Sequence, residues 1–154
     1  MKINILAVGK IKEDWLKSGI AEYAKRISKF CELEIQEIPD APENDSVEKA
    51  IAEEGKKMLS RLKENDIIIA LDLKGEMLTS VQLSKRLVQW IDGGGAKVTF
   101  LIAGSNGYYP EVLEKATAKV CLSNLTFPHQ MARLILVEQI FRAFKIAKGE
   151  KYHK

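Results

Sequence analysis

Four short apolar runs constrain this chain more than any other feature. They are "INILAV" (3–8), "DIIIALDL" (66–73), "KVTFLIA" (97–103) and "AKVCLS" (118–123). Near-continuous runs of this length are the mark of strands covered on both faces, as in a parallel sheet. Helical patterns separate them. Residues 13–30 place Trp15, Ile20, Tyr23, Ala24, Ile27 and Phe30 on one stripe. "CELEI" then alternates from Cys31 to Ile35, as a half-exposed strand does. After the loop "PDAPEND", Asp45 and Glu48 form a capping signal, and Val47, Ala50, Ile51, Met58, Leu59 and Leu62 mark a helix core face. "KGE" (74–76) reads as a turn, and Thr79 with Gln82 caps a helix to about Ile91, which "GGG" (93–95) breaks. Pro110 suits the start of a short helix ending near Ala116, and Pro128 that of a long one reaching Ala147. Strands alternating with helices predict one α/β domain over 1–154 with a mostly parallel sheet of about five strands.

The bulk properties exclude several classes. At 154 residues, 46% hydrophobic and 29% charged, the chain has the balance of an ordinary globule. No apolar run has the length to span a bilayer, and the N-terminus lacks a cleavable leader pattern. Cys31 and Cys121 are far apart, with no CxxC pair and only two histidines, so buried free thiols in a reducing cytoplasm are expected and no metal site. Charge is unevenly spread. Residues 129–154 hold six basic residues against Glu138 and Glu150, a net +4, leaving −1 for the rest. A polyanion would dock there, unless the lysines simply decorate a solvated helix end.

In parallel sheets, ligands bind outside the carboxyl ends of the strands. Three loops qualify, those after Leu73, Ala103 and Ser123. There is no G-x-G-x-x-G, P-loop or G-x-S-x-G motif. Backbone groups and the apolar Leu71, Leu122, Leu125 and Phe127 would suit an adenine-like ring, although leucines at strand ends are more often core.

The combination of "AVGK" (7–10), "IAGSNG" (102–107), "LSNLTFPHQMAR" (122–133), "VEQIFRAFKI" (137–146) and the terminal "YHK" resembles the ribosomal RNA large-subunit methyltransferase H family. These are SPOUT-class enzymes that methylate N3 of a pseudouridine in 23S rRNA, in the helix 69 loop of the large subunit. The resemblance implies a C-terminal trefoil α/β knot, S-adenosylmethionine as methyl donor, a homodimer, and the assembled ribosome as substrate. By position, cofactor contacts fall on Leu71, Ala103, Leu122, Ser123, Asn124, Leu125, Thr126 and Phe127. Where the family commonly has two glycines this chain has Ala103-Gly104, so Gly104 joins the set. The resemblance also points to His129, Arg133 and His153 for catalysis and to Arg142, Tyr152 and Lys154 for RNA. Two alternatives stand beside it: a SPOUT enzyme of another RNA such as tRNA, and a non-catalytic ribosome-binding protein.

The stretch "LTFPHQMAR" opens the last helix with groups suited to anions and protons. Arg133 shares a face with Val137, Ile140, Phe141 and Phe144, so an anion must meet it. That anion is an RNA phosphate, the cofactor's carboxylate, or a carboxylate across a subunit interface. Glu138 and Arg142 make a favourable i, i+4 pair. The helix's broad apolar cover suggests burial on two sides, as a dimer interface through Ile140 and Phe144 would provide. "GEKYHK" beyond it reads as a free tail, ordered by RNA or by reaching a second subunit's methyl site.

Overall fold

The computed structural model describes residues 1–93 and 97–154. The elements follow in the order β1 (Lys2–Val8), α1 (Asp14–Ile27), β2 (Glu32–Ile38), α2 (Val47–Leu59), β3 (Ile67–Met77), α3 (Ser80–Asp92), β4 (Val98–Ile102), α4 (Pro110–Glu114), β5 (Ala118–Cys121) and α5 (His129–Ala147). Five strands form one sheet ordered β2-β1-β4-β3-β5, and every pair is parallel. Gly94 and Gly95, expected to break a helix, lie outside the described residues, and Gly93 caps α3.

Side chains alternate across the sheet. Ile3, Ile5 and Ala7 of β1 join a core with α1, α3 and α5, whereas Leu6 and Val8 join one with α2 and α4. Helix α5 lies between α1 and α3 and packs against both. Ser84 of α3 donates to the Ala143 carbonyl at 2.6 Å, and Phe144 stacks on Phe30 at 5.2 Å. The apolar cover of α5 is thus used within one chain. Ile140 and Phe144 are 1% and 7% exposed, so the expectation that they form a subunit interface does not hold.

Thr79 and Gln82 form the expected reciprocal cap, with bonds of 3.1 and 2.8 Å. The cap of α2 sits one residue later than expected. Ser46 Oγ accepts from the Lys49 N–H at 3.2 Å, because Asp45 is held in the preceding turn by the Pro42 carbonyl. Trp15 and Val47, expected in core stripes, are exposed. Leu16, Ile20 and Ile27 define the buried face of α1, and Ala50, Glu54 and Met58 that of α2. Each misplaced residue lies within the first two positions of its helix, where the stripe is least determined by its neighbours. Cys31 and Cys121 are buried free thiols, and burial pushes the Cys31 thiol up to about 11.

"KGE" does not turn the chain. Strand β3 pairs with β5 through Leu71 opposite Val120, then resumes with Glu76 opposite the same Val120. Asp72, Leu73, Lys74 and Gly75 are pushed out between the two pairings as a bulge. A Cβ at Gly75 would lie 2.7 Å from the backbone carbonyl carbon of Lys119. Gly75→Ala should therefore destabilise the fold by about 3 kcal/mol, since a backbone contact cannot yield as a side chain can. Urea unfolding measures it; a loss below about 0.5 kcal/mol would show that the bulge relaxes freely.

Candidate active site

The sheet's carboxyl edge holds a cavity of about 540 Å³. It is built from the bulge in β3, the loop after β4, the loop after β5 and the first turn of α5, as the strand-end rule anticipates. Leu71, Ala103, Gly104, Leu122, Ser123, Leu125, Thr126 and Phe127 all line it. Asn124 is exposed and does not. Ser123 Oγ accepts from the Leu125 N–H at 3.0 Å, which sets the curve of that loop.

Sequence reading missed several wall residues. The bulge adds Asp72, Leu73 and Lys74, hidden by the reading of "KGE" as a plain turn. Tyr108 was also missed. Its hydroxyl lies 2.8 Å from the Leu71 carbonyl and 2.7 Å from that of Leu101, tying the β3 and β4 loops together. Burial, then the nearby Asp72 charge, pushes the Tyr108 phenol far above its ordinary value, so it stays a neutral donor. The "GYYP" run carried a hint, since a tyrosine in a ligand-edge loop often has a hydrogen-bonding task.

His129 lines the cavity from the first turn of α5. Its Nε2 is buried and makes no hydrogen bond within the protein. The imidazole approaches Gly9, where a Cβ would stand 3.2 Å from Nε2 and 3.3 Å from Asp40 Oδ2. Gly9 has φ +97°, a left-handed conformation that favours glycine. This glycine at the end of β1 thus admits both an imidazole and a carboxylate to the cavity's edge.

Arg133 does not reach the cavity. Its side chain is 3% exposed and makes a 2.7 Å bond to Glu37 Oε2, with a second at 3.0 Å to the Gly9 carbonyl. The anion demanded by its position comes from the same chain, not from RNA, cofactor or a partner subunit. Glu37 also accepts from the Ile11 N–H at 3.0 Å. Burial pulls the Glu37 carboxyl upward, but the hydrogen bonds from Arg133 and Ile11 and the guanidinium charge outweigh it and hold it below its usual value. Arg133 lies one turn beyond His129, so this cluster fixes the imidazole's place on the sheet edge.

The tail is not free. Tyr152 sets its ring edge against Phe141 at 4.9 Å and bonds Glu138 Oε1 at 3.2 Å. The Arg142 guanidinium lies 4.7 Å from the Tyr152 ring centre and bonds Glu138 at 2.6 Å, and its Nη1 is 3.2 Å from His153 Nδ1. The expected Glu138–Arg142 pair is therefore present, extended by the tail. Arg142, Tyr152, His153 and Lys154 all lie away from the cavity. His129 and Arg142 are separated by 13 positions of one helix, about 20 Å along its axis. Within a single chain, His153 and His129 do not meet.

Among the described residues, no helix is long and apolar enough to cross a membrane, and no cluster of His, Cys, Asp or Glu could hold a metal.

Comparison with known proteins gives this geometry a lineage. A family model described as "Predicted SPOUT methyltransferase" matches residues 1–153. The chain is 46% identical, over the full length of both chains, to the ribosomal RNA large subunit methyltransferase H 1 of Clostridium perfringens strain SM101. It is equally similar to the ribosomal RNA large subunit methyltransferase H of Clostridium perfringens strain ATCC 13124. In three dimensions it resembles a probable methylase family protein from Haemophilus influenzae Rd KW20, with a TM-score of 0.55 at 13% identity, covering 99% of this chain and 70% of that one. That likeness concerns the fold alone. The full-length identity and the family match agree with the motif resemblance, and the chain belongs to the SPOUT methyltransferases and, within them, to the ribosomal RNA large subunit methyltransferase H family.

Proposed function

We propose that this protein methylates N3 of a pseudouridine in 23S rRNA, with S-adenosylmethionine as donor. The observation that carries the reading is the cavity itself. It gathers the three loops expected to hold a cofactor and presents one imidazole with an uncommitted Nε2.

The cavity fits the cofactor. Its volume of about 540 Å³ suits a nucleoside-sized ligand. Leu71, Ile102, Leu122 and Phe127 make apolar walls, and Gly104 lies in the wall where a Cβ would press on Val8 at 3.0 Å. S-adenosylmethionine supplies, when bound, a methyl group made electrophilic by its sulfonium. The chain's own residues must hold the nucleotide in line with that methyl and accept the proton leaving N3. His129 is the wall residue with an available nitrogen for the proton, and positioning supplies much of the remaining rate. Transfer leaves the methyl on N3 and the donor as a neutral thioether.

The enzyme works as a homodimer in this proposal. Leu73 and Leu125 are 62% and 71% exposed on the cavity rim, an apolar edge that a second copy would cover. Because His153 is remote from the cavity of its own chain, the second copy would also supply the tail. An rRNA substrate accords with a cytoplasmic enzyme.

Transfer of tritiated methyl from S-adenosylmethionine to ribosomes, followed by mapping of the modified nucleotide, tests the function. Label on tRNA alone would assign another RNA, and calorimetry showing no cofactor binding would make the protein a non-catalytic binder. Ala103 provides a narrower test. Ala103→Val should weaken cofactor binding at least severalfold while the fold survives, since overfilling a packed site costs about 1–3 kcal/mol. Unchanged affinity would remove Ala103 from the binding wall.

A further inference from the structure

A second cavity, of about 550 Å³, lies toward the other end of α5. Arg26 and Lys29 reach it from the end of α1, and Lys145 and Lys148 from the end of α5. Its floor is aromatic. Arg26 and Lys145 each lie 5.8 Å from the Phe141 ring centre, and Lys148 lies 5.3 Å from that of Phe30. The stems of these residues cover apolar surface while their charged heads gather above it. Four cations drawn into one groove repel one another, and two carboxylates answer them. Glu22 pairs with Arg26 at 3.1 Å, and Glu150 pairs with Lys145.

Glu150 is the informative member. At the end of α5, Gly149 adopts φ +67°, and the Glu150 N–H returns to the Lys145 carbonyl at 3.0 Å. This helix stop folds the chain back and lays the Glu150 carboxylate into the groove. The hydrogen bond from Lys145, helped by the charges of Lys145, Lys148 and Lys29, outweighs desolvation and holds the Glu150 carboxyl below its usual value. The groove therefore already binds an anion, one provided by the chain.

We propose that this groove is an anchoring site for the phosphate backbone of the RNA substrate, remote from the methyl site of its own chain, and that Glu150 occupies it until a phosphate displaces the carboxylate. The proposal rests on the rRNA reading above. Phosphate fits better than a base, because Phe141 is only 7% exposed and cations cover its ring. It also fits better than a second copy seated groove against groove, because that symmetric contact would bring like charges together. The groove lies nearly the full length of α5 from His129, about 28 Å for 19 residues. One phosphate strand held at both places would be oriented as well as bound.

Two variants of the full-length protein test this, with ribosomes and poly(U) RNA as probes. Lys29→Ala/Lys148→Ala alters exposed side chains and should leave thermal unfolding unchanged. It should reduce the slope of log affinity against log salt by about 1.4 on poly(U), since each phosphate contact on a single strand contributes about 0.7. The KM for ribosomes should rise roughly tenfold with kcat unchanged, as expected for lost phosphate contacts. Glu150→Gln should act oppositely, tightening poly(U) binding severalfold by removing the internal competitor. An unchanged salt slope in the lysine variant, or weaker binding in Glu150→Gln, overturns the proposal. So does a change in oligomeric mass without a change in RNA affinity, which would make the groove an interface between copies. If the wild type transfers no methyl to ribosomes, the rRNA reading fails, yet the poly(U) slopes still decide the groove.

Discussion

Glu37→Gln should lower the folding free energy by about 3 kcal/mol and slow methyl transfer, although Glu37 does not line the active cavity. The reason is the partner it abandons. Arg133 is 2% exposed, and besides Glu37 it has only the Gly9 carbonyl. Removing the carboxylate strands a buried guanidinium, the costly way to break such a pair. Arg133→Met should cost less, about 1 kcal/mol, because the remaining Glu37 side chain is 39% exposed and water can solvate it. Both changes loosen the first turn of α5, which carries His129. Catalysis should therefore fall in both, while cofactor affinity, which depends on loops elsewhere, falls little. The acid side of the stability curve gives a separate check. Glu37 is held below its ordinary value in the folded chain, so its contribution is complete above the free carboxylate range, near 4.3. The contribution is lost as pH falls through the lower, folded value. The stability gap between wild type and Glu37→Gln should be full at pH 6 and close progressively below about pH 4. Equal losses in the two variants, or a gap that ignores acid, would remove Arg133 and Glu37 from the role of positioning His129.

The parallel sheet was legible because β1, β3 and β4 are apolar on both faces, and period alone reveals that. The ligand edge was legible for the same reason, since parallel strands all end on one side. Eight of nine cofactor positions from the family motifs line one cavity, and Asn124 departs because its side of the loop faces out. What sequence hid were contacts between distant segments. Nothing local marks Glu37 as the partner of Arg133, 96 positions away. The bulge that ends at Gly75 was hidden because glycine also signals turns, and only the approach of the Lys119 backbone separates the two. Helix α5 misled for a different reason. Its apolar cover was broad enough to suggest a second molecule, when α1 and α3 of the same chain already enclose it. The strand order is consistent with the knotted topology that the family resemblance implies, but a knot lies in threading, which no residue pattern records.

Deleting Tyr152 through Lys154 should reduce methylation of ribosomes by at least about a hundredfold while leaving cofactor affinity nearly unchanged, an effect of the size seen when catalytic groups are removed. The docked tail adds a second consequence that a free tail would not have. Tyr152 packs on Phe141 and bonds Glu138, so its loss should also cost about 1–2 kcal/mol of stability. Burial, then a bond with Tyr23 and the Glu138 charge, pushes the Tyr152 phenol up to about 12. It thus remains a neutral donor at working pH and anchors the residue that follows. His153→Ala separates the two effects, because it removes the exposed imidazole and keeps the Tyr152 packing. Stability should stay within about 0.5 kcal/mol of wild type, and activity should still fall by more than about tenfold. The remaining question is which cavity the imidazole serves. Arg142 holds His153 roughly 20 Å from its own chain's His129, so in the proposed dimer the tail would act on a partner's cavity. Mixing the tail deletion with a chain whose cavity is blocked by Ala103→Trp should then restore activity, since one chain keeps an intact cavity and the other an intact tail. No recovery in the mixed dimers, with both chains folded and paired, would place the tail's action within its own subunit. Full activity in the deletion would end its catalytic role altogether.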